Sequence, residues 1–582
     1  MNEQLQKQRH SLSHILAQAI KSLYPKAKLG IGPAIDNGFY YDVDFEEEQI
    51  TEDIFPSIEE KMREIIKKDL PFIHTFKSRA DAVSFLNESQ ENYKIDLINN
   101  AIKEDDISFF ATGTEFIDMC EGPHVESTGN IKLDSFKLSH LAGAYWKGNE
   151  KNKMLTRIYG LAFNTKEELE SYVESQDEAR KRDHRKLGKQ LDLFTFSDLV
   201  GAGLPMFTPK GTILRDKLFE FSEKLQRDNG FEKVWIPHIT KIDLYKKSGH
   251  WDKFGDELFL VKSQETDDEF VMKPMNCPHH TQIYASRMRS YRDLPIRYFE
   301  TTTQYRDEKA GELLGLSRVR SISIDDAHIF CRPDQIENEF TNIMNMIKTM
   351  YSALGMSFKS RLSFRDPNNK EKYLGEDSAW ENAQGIIESV AKKLELDYFI
   401  ATGEAAFYGP KIDIIVYDAL GREWQCATQQ LDFVQPARFE LKYTDSDGIE
   451  KTPFMIHKAL LGSIERFLSV YIEHTGGNFP LWLSPVQVVI IPIGEKHVTF
   501  ANDLKSKLKE QNMRVEVDDG NERMQNKIRV ATEQKVPYML IVGDKEIEKN
   551  VVSVRMRNGT DIGLMYINEL IERLVKEDKE RK

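Results

Sequence analysis

Residues 298–331 constrain the fold of this chain more than any other stretch. They read YFETTTQYRDEKAGELLGLSRVRSISIDDAHIFC. Two runs rich in Thr, Tyr, Ile and Ser flank a loop at residues 309–316 that contains two glycines. The pattern predicts a long antiparallel hairpin, because these residue types favour strands and glycine permits the reversal between them.

The predicted hairpin carries charged groups at alternating positions. Because side chains alternate between the two faces of a strand, Arg306 and Glu308 share one face of the outgoing strand, and Ile324, Asp326 and His328 share one face of the return strand. Such groups are costly to bury unless they are paired or bound to something. Two interpretations stay open here. The segment is either a charged edge hairpin whose histidine has its hydrogen bonds met within the protein, or a binding site.

Length and composition exclude several classes of protein. At 582 residues the chain is expected to hold roughly three or four domains of about 100 to 200 residues each. No apolar run approaches membrane-spanning length, and the polar first helix does not resemble a signal peptide, so we expect no membrane partner. The net charge of −14 does not point to a nucleic-acid partner, although a local basic surface would suffice for one.

The cysteines indicate a cytosolic protein. Cys120, Cys277, Cys331 and Cys426 are too few and too scattered for a disulfide framework. A reducing, cytoplasmic compartment is therefore expected.

Residues 1–178 are expected to form one α/β unit with a candidate site. His10 and His14 are four residues apart and share one face of the first helix, and Cys120 and His124 lie beside a Gly-Pro turn in IDMCEGPHVESTG. These groups suit either a zinc site or a hydrolytic pocket with imidazole bases, and a purely structural role is the alternative.

Strands alternate with helices from about residue 195 to 480. Residues 175–194 are dense in charge and predict a solvated helix that joins two domains. The segment LYKKSGHWDKF predicts a polar loop that carries His250 and Trp251. Further along, Lys411 and Asp413 share one face of a strand, and His457 lies on a strand that turns at a glycine into an amphipathic helix.

The last hundred residues predict a compact α/β unit. Strand and helix segments alternate from about residue 484, and DIGLMYINELIERLVKE is expected to close the chain as a helix. This unit has a candidate polar and basic face, for which a solvated surface is the alternative; its residues are Asn521, Arg529, Lys535, Arg555 and Arg557.

Several motifs together resemble one family. FEKVWIP with Pro237, the hairpin with YRDE and RVRSISIDDAHIF, and LLGSIERF with Arg466 resemble motifs one, two and three of class II aminoacyl-tRNA synthetases. MNCP, DDAH, FYGPKID and MIHKALLGS resemble the threonine-specific branch, threonyl-tRNA synthetase. HSLSH and CEGPH resemble the editing site of that family, and the last unit resembles its anticodon-binding domain, so the resemblance covers the whole chain.

The resemblance implies an α+β multidomain fold. A class II antiparallel sheet core would be accompanied by an α/β editing domain and an α/β anticodon-binding domain. The implied ranges are 1–178 for editing, 179–194 for a linker helix, 195–482 for catalysis and 483–582 for anticodon binding. Family members commonly begin with a small ubiquitin-like domain, whereas this chain opens almost directly on HSLSH; we expect a form that lacks that domain and keeps catalysis.

The function that the resemblance implies is ATP-dependent charging of tRNA(Thr) with L-threonine through threonyl-adenylate, with hydrolysis of mischarged Ser-tRNA(Thr). The implied partners are tRNA(Thr), ATP, L-threonine and a second copy of the chain, in a homodimer formed through the motif-one helix and Pro237. One Zn²⁺ per subunit is expected in the catalytic domain, and Mg²⁺ is expected with ATP. A stand-alone deacylase of mischarged tRNA and an RNA-binding regulator are the competing functions.

The resemblance also implies roles for single residues. Arg306 would bind the α-phosphate of ATP, Glu308 the adenine amino group and Arg466 the γ-phosphate, with Arg318 as a further nucleotide contact. His250 matches a histidine proposed to assist transfer to the tRNA ribose, so the implied catalytic residues are Arg306, Arg466 and His250. The other implied sets are Cys277, His328 and His457 for zinc; Asp326, Tyr408, Lys411, Gln425 and Gln430 for threonine; His10, His14, Cys120 and His124 for editing; and Asn521, Arg529 and Arg555 for the anticodon.

Two positions depart from the family pattern. Ile324 stands where many members carry glutamine close to the threonine site, which could alter the hydrogen bonds around the substrate. CPHH replaces the commoner CPGH, and His279 is expected to have no metal role.

Overall fold

The structure is a computed structural model that describes residues 3–46 and 48–581, apart from the side chain of Phe254. The chain divides into two compact units, Met1–Glu178 and Ala179–Lys582. None of the helices in the described ranges is both long and apolar enough to cross a membrane.

The first unit contains two antiparallel sheets. One sheet has the order β1-β3-β8-β7 with β2 paired to β3, and the other has the order β4-β5-β6. Its main core packs the apolar side of α1 and α2 against β3. The strands are β1 (Lys28–Leu29), β2 (Ala34–Ile35), β3 (Gly38–Asp44), β4 (Phe72–Ser78), β5 (Asp106–Thr112), β6 (Phe116–Met119), β7 (Phe136–Tyr145) and β8 (Met154–Ala162); the helices are α1 (Glu3–Leu23), α2 (Phe55–Lys67), α3 (Arg79–Glu88), α4 (Asn92–Asn100) and α5 (Lys166–Arg182), which carries the division between the units.

The second unit is built on an eight-stranded sheet. Its order is β11-β15-β16-β23-β20-β19-β17-β18, and all pairs are antiparallel except the two at the ends. The strands of this part are β9 (Phe194–Thr195), β10 (Met206–Phe207), β11 (Glu232–Lys233), β12 (Ile239–Lys241), β13 (Leu260–Lys262), β14 (Glu269–Met272), β15 (Ile296–Tyr305), β16 (Ser321–Cys331), β17 (Phe358–Phe364), β18 (Tyr398–Thr402), β19 (Lys411–Tyr417), β20 (Glu423–Asp432), β21 (Tyr443–Thr444), β22 (Glu450–Lys451) and β23 (Phe454–Ser463).

Helices cover the apolar side of this sheet. Leu, Ile, Met and Phe side chains of α7, α11, α12 and α14 form one continuous core with the sheet. The helices are α6 (His184–Gln190), α7 (Pro209–Asp228), α8 (Ile242–Ser248), α9 (His250–Phe254), α10 (Cys277–Ala285), α11 (Ile336–Ala353), α12 (Asp377–Lys393), α13 (Gln435–Arg438) and α14 (Ile464–Thr475).

The end of the chain forms a mixed sheet with its own core. The strand order is β25-β24-β26-β27-β28, parallel over the first three strands and antiparallel over the last two pairs. The elements are β24 (Val488–Pro492), α15 (Val498–Glu510), β25 (Val515–Val517), α16 (Met524–Glu533), β26 (Tyr538–Val542), α17 (Asp544–Lys549), β27 (Val551–Met556), β28 (Asp561–Tyr566) and α18 (Ile567–Glu580).

The predicted hairpin is present as β15 and β16, paired in antiparallel register from Ile296 opposite Phe330 to Tyr305 opposite Ser321. Its outgoing strand ends at Tyr305, so Arg306 and Glu308 lie in the loop and not on the strand. The Arg320 guanidinium donates to the Glu308 carbonyl at 2.8 and 3.0 Å, and these bonds hold the loop backbone beyond the last ladder pair.

Three further local predictions were wrong. Gly249, with a φ of 86°, separates α8 from α9, so His250 begins a helix and is buried instead of lying in a polar loop. The predicted linker helix is two helices, α5 and α6, and Leu187 and Leu191 at its end are buried in the core. DIGLMY forms the edge strand β28, and helical structure begins only at Ile567.

One buried histidine connects three parts of the second unit. His184 donates from Nδ1 to the Glu473 carboxylate at 2.7 Å, and its Nε2 accepts the Leu316 N–H at 3.1 Å. Gly315 precedes this contact with a φ of 48°, and a Cβ there would approach His184 Nε2 to 2.3 Å. Arg422 donates to the second oxygen of Glu473 at 2.5 Å. The loop between β15 and β16 is therefore anchored at its base to α6 and α14.

We expect His184→Ala to lower the free energy of unfolding by about 2 kcal/mol, because a hydrogen bond to a buried carboxylate is lost and the Leu316 N–H loses its acceptor. Thermal unfolding followed by fluorescence measures the change. Arg185→Ala is the matched control, since Arg185 makes an exposed ion pair with Asp183 that is expected to contribute little. Equal melting temperatures for the two variants would contradict the anchoring role.

Candidate functional sites

A cavity of about 570 Å³ opens beside the hairpin loop in the second unit. All four residues that sequence analysis assigned to ATP line it: Arg306, Glu308, Arg318 and Arg466. Arg466 reaches it from the first turn of α14, which begins where Ser463 caps the helix by accepting the Arg466 N–H. The structure thus brings the predicted nucleotide residues to one concave surface.

Two charged groups of this cavity, Arg318 and Glu308, are paired with each other in the structure. Arg318 donates to Glu308 Oε2 at 2.8 Å and also approaches Glu312 at 2.6 Å. Ile324, Gln304 and Gln425 also line this cavity. A bound nucleotide that used both Arg318 and Glu308 would have to exchange their mutual contact for contacts with the ligand.

Cys277, His328 and His457 form a buried cluster. One ligand atom from each residue lies within 4.8 Å of the others. His328 and His457 are directly opposite each other on β16 and β23, and Cys277 begins α10. Because directly opposed residues of an antiparallel pair carry their side chains on the same face, the register of two strands supplies two of the three groups.

Each histidine of this cluster uses one ring nitrogen for a protein partner. His328 Nδ1 shares a hydrogen bond of 2.7 Å with His280 Nδ1, and His457 Nε2 bonds to Asp432 Oδ2 at 2.8 Å. The second nitrogen of each ring remains for a ligand, and such outer hydrogen bonds are typical of metal-binding histidines. Burial lowers the pKa of His328 and raises that of the Cys277 thiol.

The donor set therefore fits zinc. One thiol and two imidazoles, with one position left for a further ligand, are typical of open zinc sites. A buried thiol with a raised pKa is stabilised as thiolate by a cation, and a neutral imidazole is the form that binds a metal. His280 belongs to the CPHH segment, whose cysteine and two histidines are a plausible ligand source by sequence, and in the structure it bonds to a histidine of the cluster. Sequence analysis missed Asp432, which lies outside any ligand motif.

The residues predicted to contact threonine fall into two groups. The Tyr408 hydroxyl bonds to Gln430 and its ring stacks on His457 at 4.9 Å, so these two residues adjoin the cysteine–histidine cluster. Lys411 and Gln425 instead bond to the fully buried carboxylate of Asp413, at 2.8 Å each. Sequence analysis placed Asp413 only on the same strand face as Lys411. In the structure its carboxylate also accepts hydrogen bonds from Arg361, Ser363 and Thr428.

Asp326 lies between the cavity and the cluster. Its Oδ1 is 3.8 Å from His328 Nε2, and its Oδ2 accepts the Asn276 amide at 3.0 Å. Burial raises the pKa of Asp326 to about 6, an effect that His457 and Asn276 partly offset. Above that pH the carboxylate is ionised and can accept a hydrogen bond from a hydroxyl group.

His250 also belongs to this region. Its Nε2 is 4.0 Å from Cys277 Sγ, its Nδ1 bonds to Ser248 Oγ at 2.7 Å, and burial lowers its pKa to about 3. The imidazole is therefore neutral at physiological pH, the form that can accept a proton.

A second cluster occupies the first unit. Cys120 Sγ lies 3.3 Å from His10 Nε2 and 3.2 Å from His124 Nε2, and Ser11 Oγ bonds to His124 Nδ1 at 3.1 Å. The buried His14 ring packs edge-on against His124 at 5.2 Å. The four residues predicted for the amino-terminal site are thus neighbours, and three of them, His10, His14 and Cys120, line a cavity of about 870 Å³.

Burial makes this second cluster electrically neutral. It lowers the pKa of His124 to about 2 and that of His14 to about 3, and it raises the pKa of Cys120 to about 11. At neutral pH the cavity therefore presents unprotonated imidazoles and a protonated thiol, which favours hydrogen bonding to water over nucleophilic attack by sulfur.

Sequence analysis missed a polar triad in the same cavity. Lys94 is buried and donates to the Tyr41 hydroxyl at 3.0 Å and to Asp118 at 3.2 Å, while Tyr41 donates to Asp118 at 2.5 Å. Asp118 is two residues before Cys120 and could have been suspected from the motif. Lys94 lies on a helix far away in sequence, and only the fold brings it to the site.

The three residues predicted to contact the anticodon lie on separate elements. Asn521 is exposed in the loop before α16, Arg529 is on α16 and Arg555 is on β27. Arg529 pairs with Glu533 at 2.6 Å and Arg555 with Asp561 at 3.3 Å. The structure does not gather these residues into one contact network.

Comparison with known protein families matches three segments of the chain. Residues 259–475 match the tRNA synthetase class II core domain (G, H, P, S and T), residues 487–577 the anticodon binding domain, and residues 107–159 the threonyl and alanyl tRNA synthetase second additional domain. The antiparallel sheet with its arginine-lined cavity and these matches define a class II aminoacyl-tRNA synthetase.

Individual relatives identify the family within this class. The chain is 48% identical to the threonine–tRNA ligase of Gloeobacter violaceus over 99% of this chain and 93% of that protein. It is 47% identical to the threonine–tRNA ligase of Cytophaga hutchinsonii over 97% of this chain and 87% of that protein. A crystal structure of the RNA binding domain of threonyl-tRNA synthetase from Cryptosporidium parvum superimposes with a TM-score of 0.65 and 38% identity, covering 68% of this chain and 98% of that one. The chain belongs to the threonyl-tRNA synthetase family.

Proposed function

We propose that this chain attaches L-threonine to tRNA(Thr) in an ATP-dependent reaction through threonyl-adenylate, and that it hydrolyses mischarged Ser-tRNA(Thr). One observation carries the first activity. Gln304, in the wall of the cavity that Arg306 and Arg466 line, bonds to Asp326 Oδ2 at 3.5 Å, and Asp326 Oδ1 lies 3.8 Å from His328 Nε2 of the buried cluster, so the proposed nucleotide and amino-acid sites adjoin.

Arg306 and Arg466 would hold the phosphates of ATP. Transfer of a nucleotidyl group depends largely on positioning and on cationic groups that balance the charge at phosphorus. In this assignment Arg306 contacts the α-phosphate, where the threonine carboxylate attacks and pyrophosphate leaves, and Arg466 contacts the γ-phosphate. Glu308 accepts from the adenine amino group, Arg318 turns to the nucleotide, and Mg²⁺ accompanies the phosphates.

Cys277, His328 and His457 would hold one zinc ion per chain. The ion would supply a Lewis-acidic position for the amino and hydroxyl groups of threonine. Asp326 would accept the hydroxyl hydrogen, with Tyr408 and Gln430 beside it. This arrangement selects against valine, which lacks the hydroxyl; an apolar pocket alone separates such near-isosteres only about 100-fold.

Serine carries the same hydroxyl, so the first site alone separates it from threonine weakly. One methyl group in a pocket contributes roughly 1 to 3 kcal/mol to discrimination. The cavity of the first unit would remove the resulting error. His10, His14, Cys120 and His124 would hold the hydrolytic water by hydrogen bonds, since an uncharged imidazole offers one acceptor nitrogen and one N–H donor.

Further assignments belong to the same proposal. The ranges 1–178, 179–194, 195–482 and 483–582 would act as editing domain, linker, catalytic domain and anticodon-binding domain. Asn521, Arg529 and Arg555 would contact the anticodon, and His250 would assist transfer to the tRNA ribose. The chain would work as a cytoplasmic homodimer that pairs through α7 and Pro237.

ATP/pyrophosphate exchange tests the proposed reaction. We expect exchange that depends on threonine, weaker exchange with serine and almost none with valine, because valine offers no hydroxyl to Asp326. Hydrolysis of Ser-tRNA(Thr) in the absence of any threonine-dependent exchange would overturn the ligase and support a stand-alone deacylase instead.

Substitution of Cys277 tests whether the cysteine–histidine cluster binds zinc or only packs in the core. Cys277→Ser is expected to lose the zinc and to lower threonine-dependent exchange at least 100-fold, as measured by metal analysis and exchange. Cys331→Ala, at a buried cysteine outside the cluster, should keep one zinc per chain. Full exchange by Cys277→Ser would refute the metal assignment, and two zinc ions in the wild type would indicate metal in the first unit as well.

Two substitutions in α1 test the hydrolytic site. The double variant His10→Ala, His14→Ala is expected to keep threonine activation but to let Ser-tRNA(Thr) accumulate, because the imidazoles that hold water are gone. Deacylation of purified Ser-tRNA(Thr) measures the effect, and we expect a decrease of about 100-fold. His140→Ala, at an exposed histidine on β7, is the control. Wild-type hydrolysis by the double variant would refute the role.

A further inference from the structure

Gln304 has a polar side chain to which neither the sequence motifs nor the proposed mechanism assigns a role. It is the second-last residue of β15, is 3% exposed and lines the 570 Å³ cavity together with Arg306 and Ile324. Its amide Nε2 donates to Asp326 Oδ2 at 3.5 Å. Within the described part of the chain this is its one side-chain hydrogen bond. Burying an amide costs free energy unless it is hydrogen-bonded, so we expect this side chain to do more than fill space.

The contact bears on how Asp326 is oriented. Its Oδ2 accepts two amides, from Asn276 at 3.0 Å and from Gln304. Its Oδ1 points toward the cysteine–histidine cluster and lies 3.8 Å from His328 Nε2. With Oδ2 engaged twice, the carboxylate is held so that Oδ1 is the oxygen offered to a ligand beside the cluster.

The strand register places Gln304 and Ile324 on the same face of the hairpin. Thr302 is opposite Ile324 and Gln304 is opposite Ile322, so Gln304 and Ile324 are diagonal neighbours. Diagonal pairs lie roughly 7 to 8 Å apart at Cα, within reach of long side chains. Ile324 leaves that part of the cavity wall apolar. An amide is nevertheless present in the cavity, on the adjacent strand.

We propose that Gln304 is a positioning residue for amino-acid selection: with Asn276 it fixes the Asp326 carboxylate, so that Oδ1 receives the substrate hydroxyl. This inference rests on the proposed threonine-activating function. It predicts an effect on the recognition of the hydroxyl group, not on ATP.

The alternative is that Gln304 only packs the cavity wall. Gln304→Met distinguishes the two roles, because methionine has nearly the same length and volume and lacks the amide. A second variant, Gln304→Met with Ile324→Gln, returns an amide to the same face from the return strand. The measurements are KM for threonine and for ATP in pyrophosphate exchange, exchange with valine, and zinc content.

We expect Gln304→Met to raise KM for threonine about tenfold, the order expected for a hydrogen bond to a charged group. KM for ATP and the zinc content should not change, and the ratio of threonine to valine exchange should fall by the same factor. The double variant should recover most of the loss.

Two results would overturn the inference. One is an unchanged KM for threonine in Gln304→Met. The other is a loss shared equally by threonine, valine and ATP that Ile324→Gln does not rescue, since this would indicate packing alone. Both are distinct from failure of the proposed function, in which the wild-type chain itself would show no threonine-dependent exchange.

Discussion

The register between β16 and β23 is the constraint on which the catalytic region depends. A slip of one residue would carry Asp326 and His328 to the opposite face of the sheet and separate His328 from His457. The structure opposes such a slip with a buried charge. Asp325 accepts the backbone N–H groups of Leu460, Leu461 and Gly462 at 3.1 to 3.2 Å. The ladder is irregular at this point, between Ile324 and Asp326.

The two faces of β16 therefore have different roles. On one face Asp325 bonds to Ser222 of α7 at 2.5 Å, and the buried Lys458 donates to Gln226 of the same helix at 2.7 Å. Burial lowers the pKa of Lys458 to about 7, although Asp325 opposes the shift. Charges that would be costly alone are satisfied here by a helix. The other face carries Asp326 and His328, the residues that contact the substrate in the proposed function.

Sequence reasoning predicted the hairpin, the order of elements and most of the residues in the two clusters. It succeeded because strands alternate visibly and because the motifs are specific to one family. It was wrong about His250, because the turn at Gly249 starts a helix whose burial depends on distant packing. It could not find Asp432 or Lys94, since a side chain that supports a site residue from another element leaves no local pattern in sequence. Residue spacing alone would not have joined Cys277 to His457 either, 180 positions away.

In the proposed function the two pockets distinguish different features of the substrate. The site on β16 would recognise a hydroxyl through one carboxylate, and a carboxylate does not sense a missing methyl group. The first unit has a core of its own and a cavity lined by unprotonated imidazoles and the Lys94–Asp118–Tyr41 triad. Hydrolysis of an ester needs a held water and a proton acceptor, whereas adenylate formation needs cations and the exclusion of water. One cavity cannot meet both requirements. Serine and threonine are therefore better distinguished by size after transfer to tRNA, in a second and neutral pocket, than by a more selective first pocket.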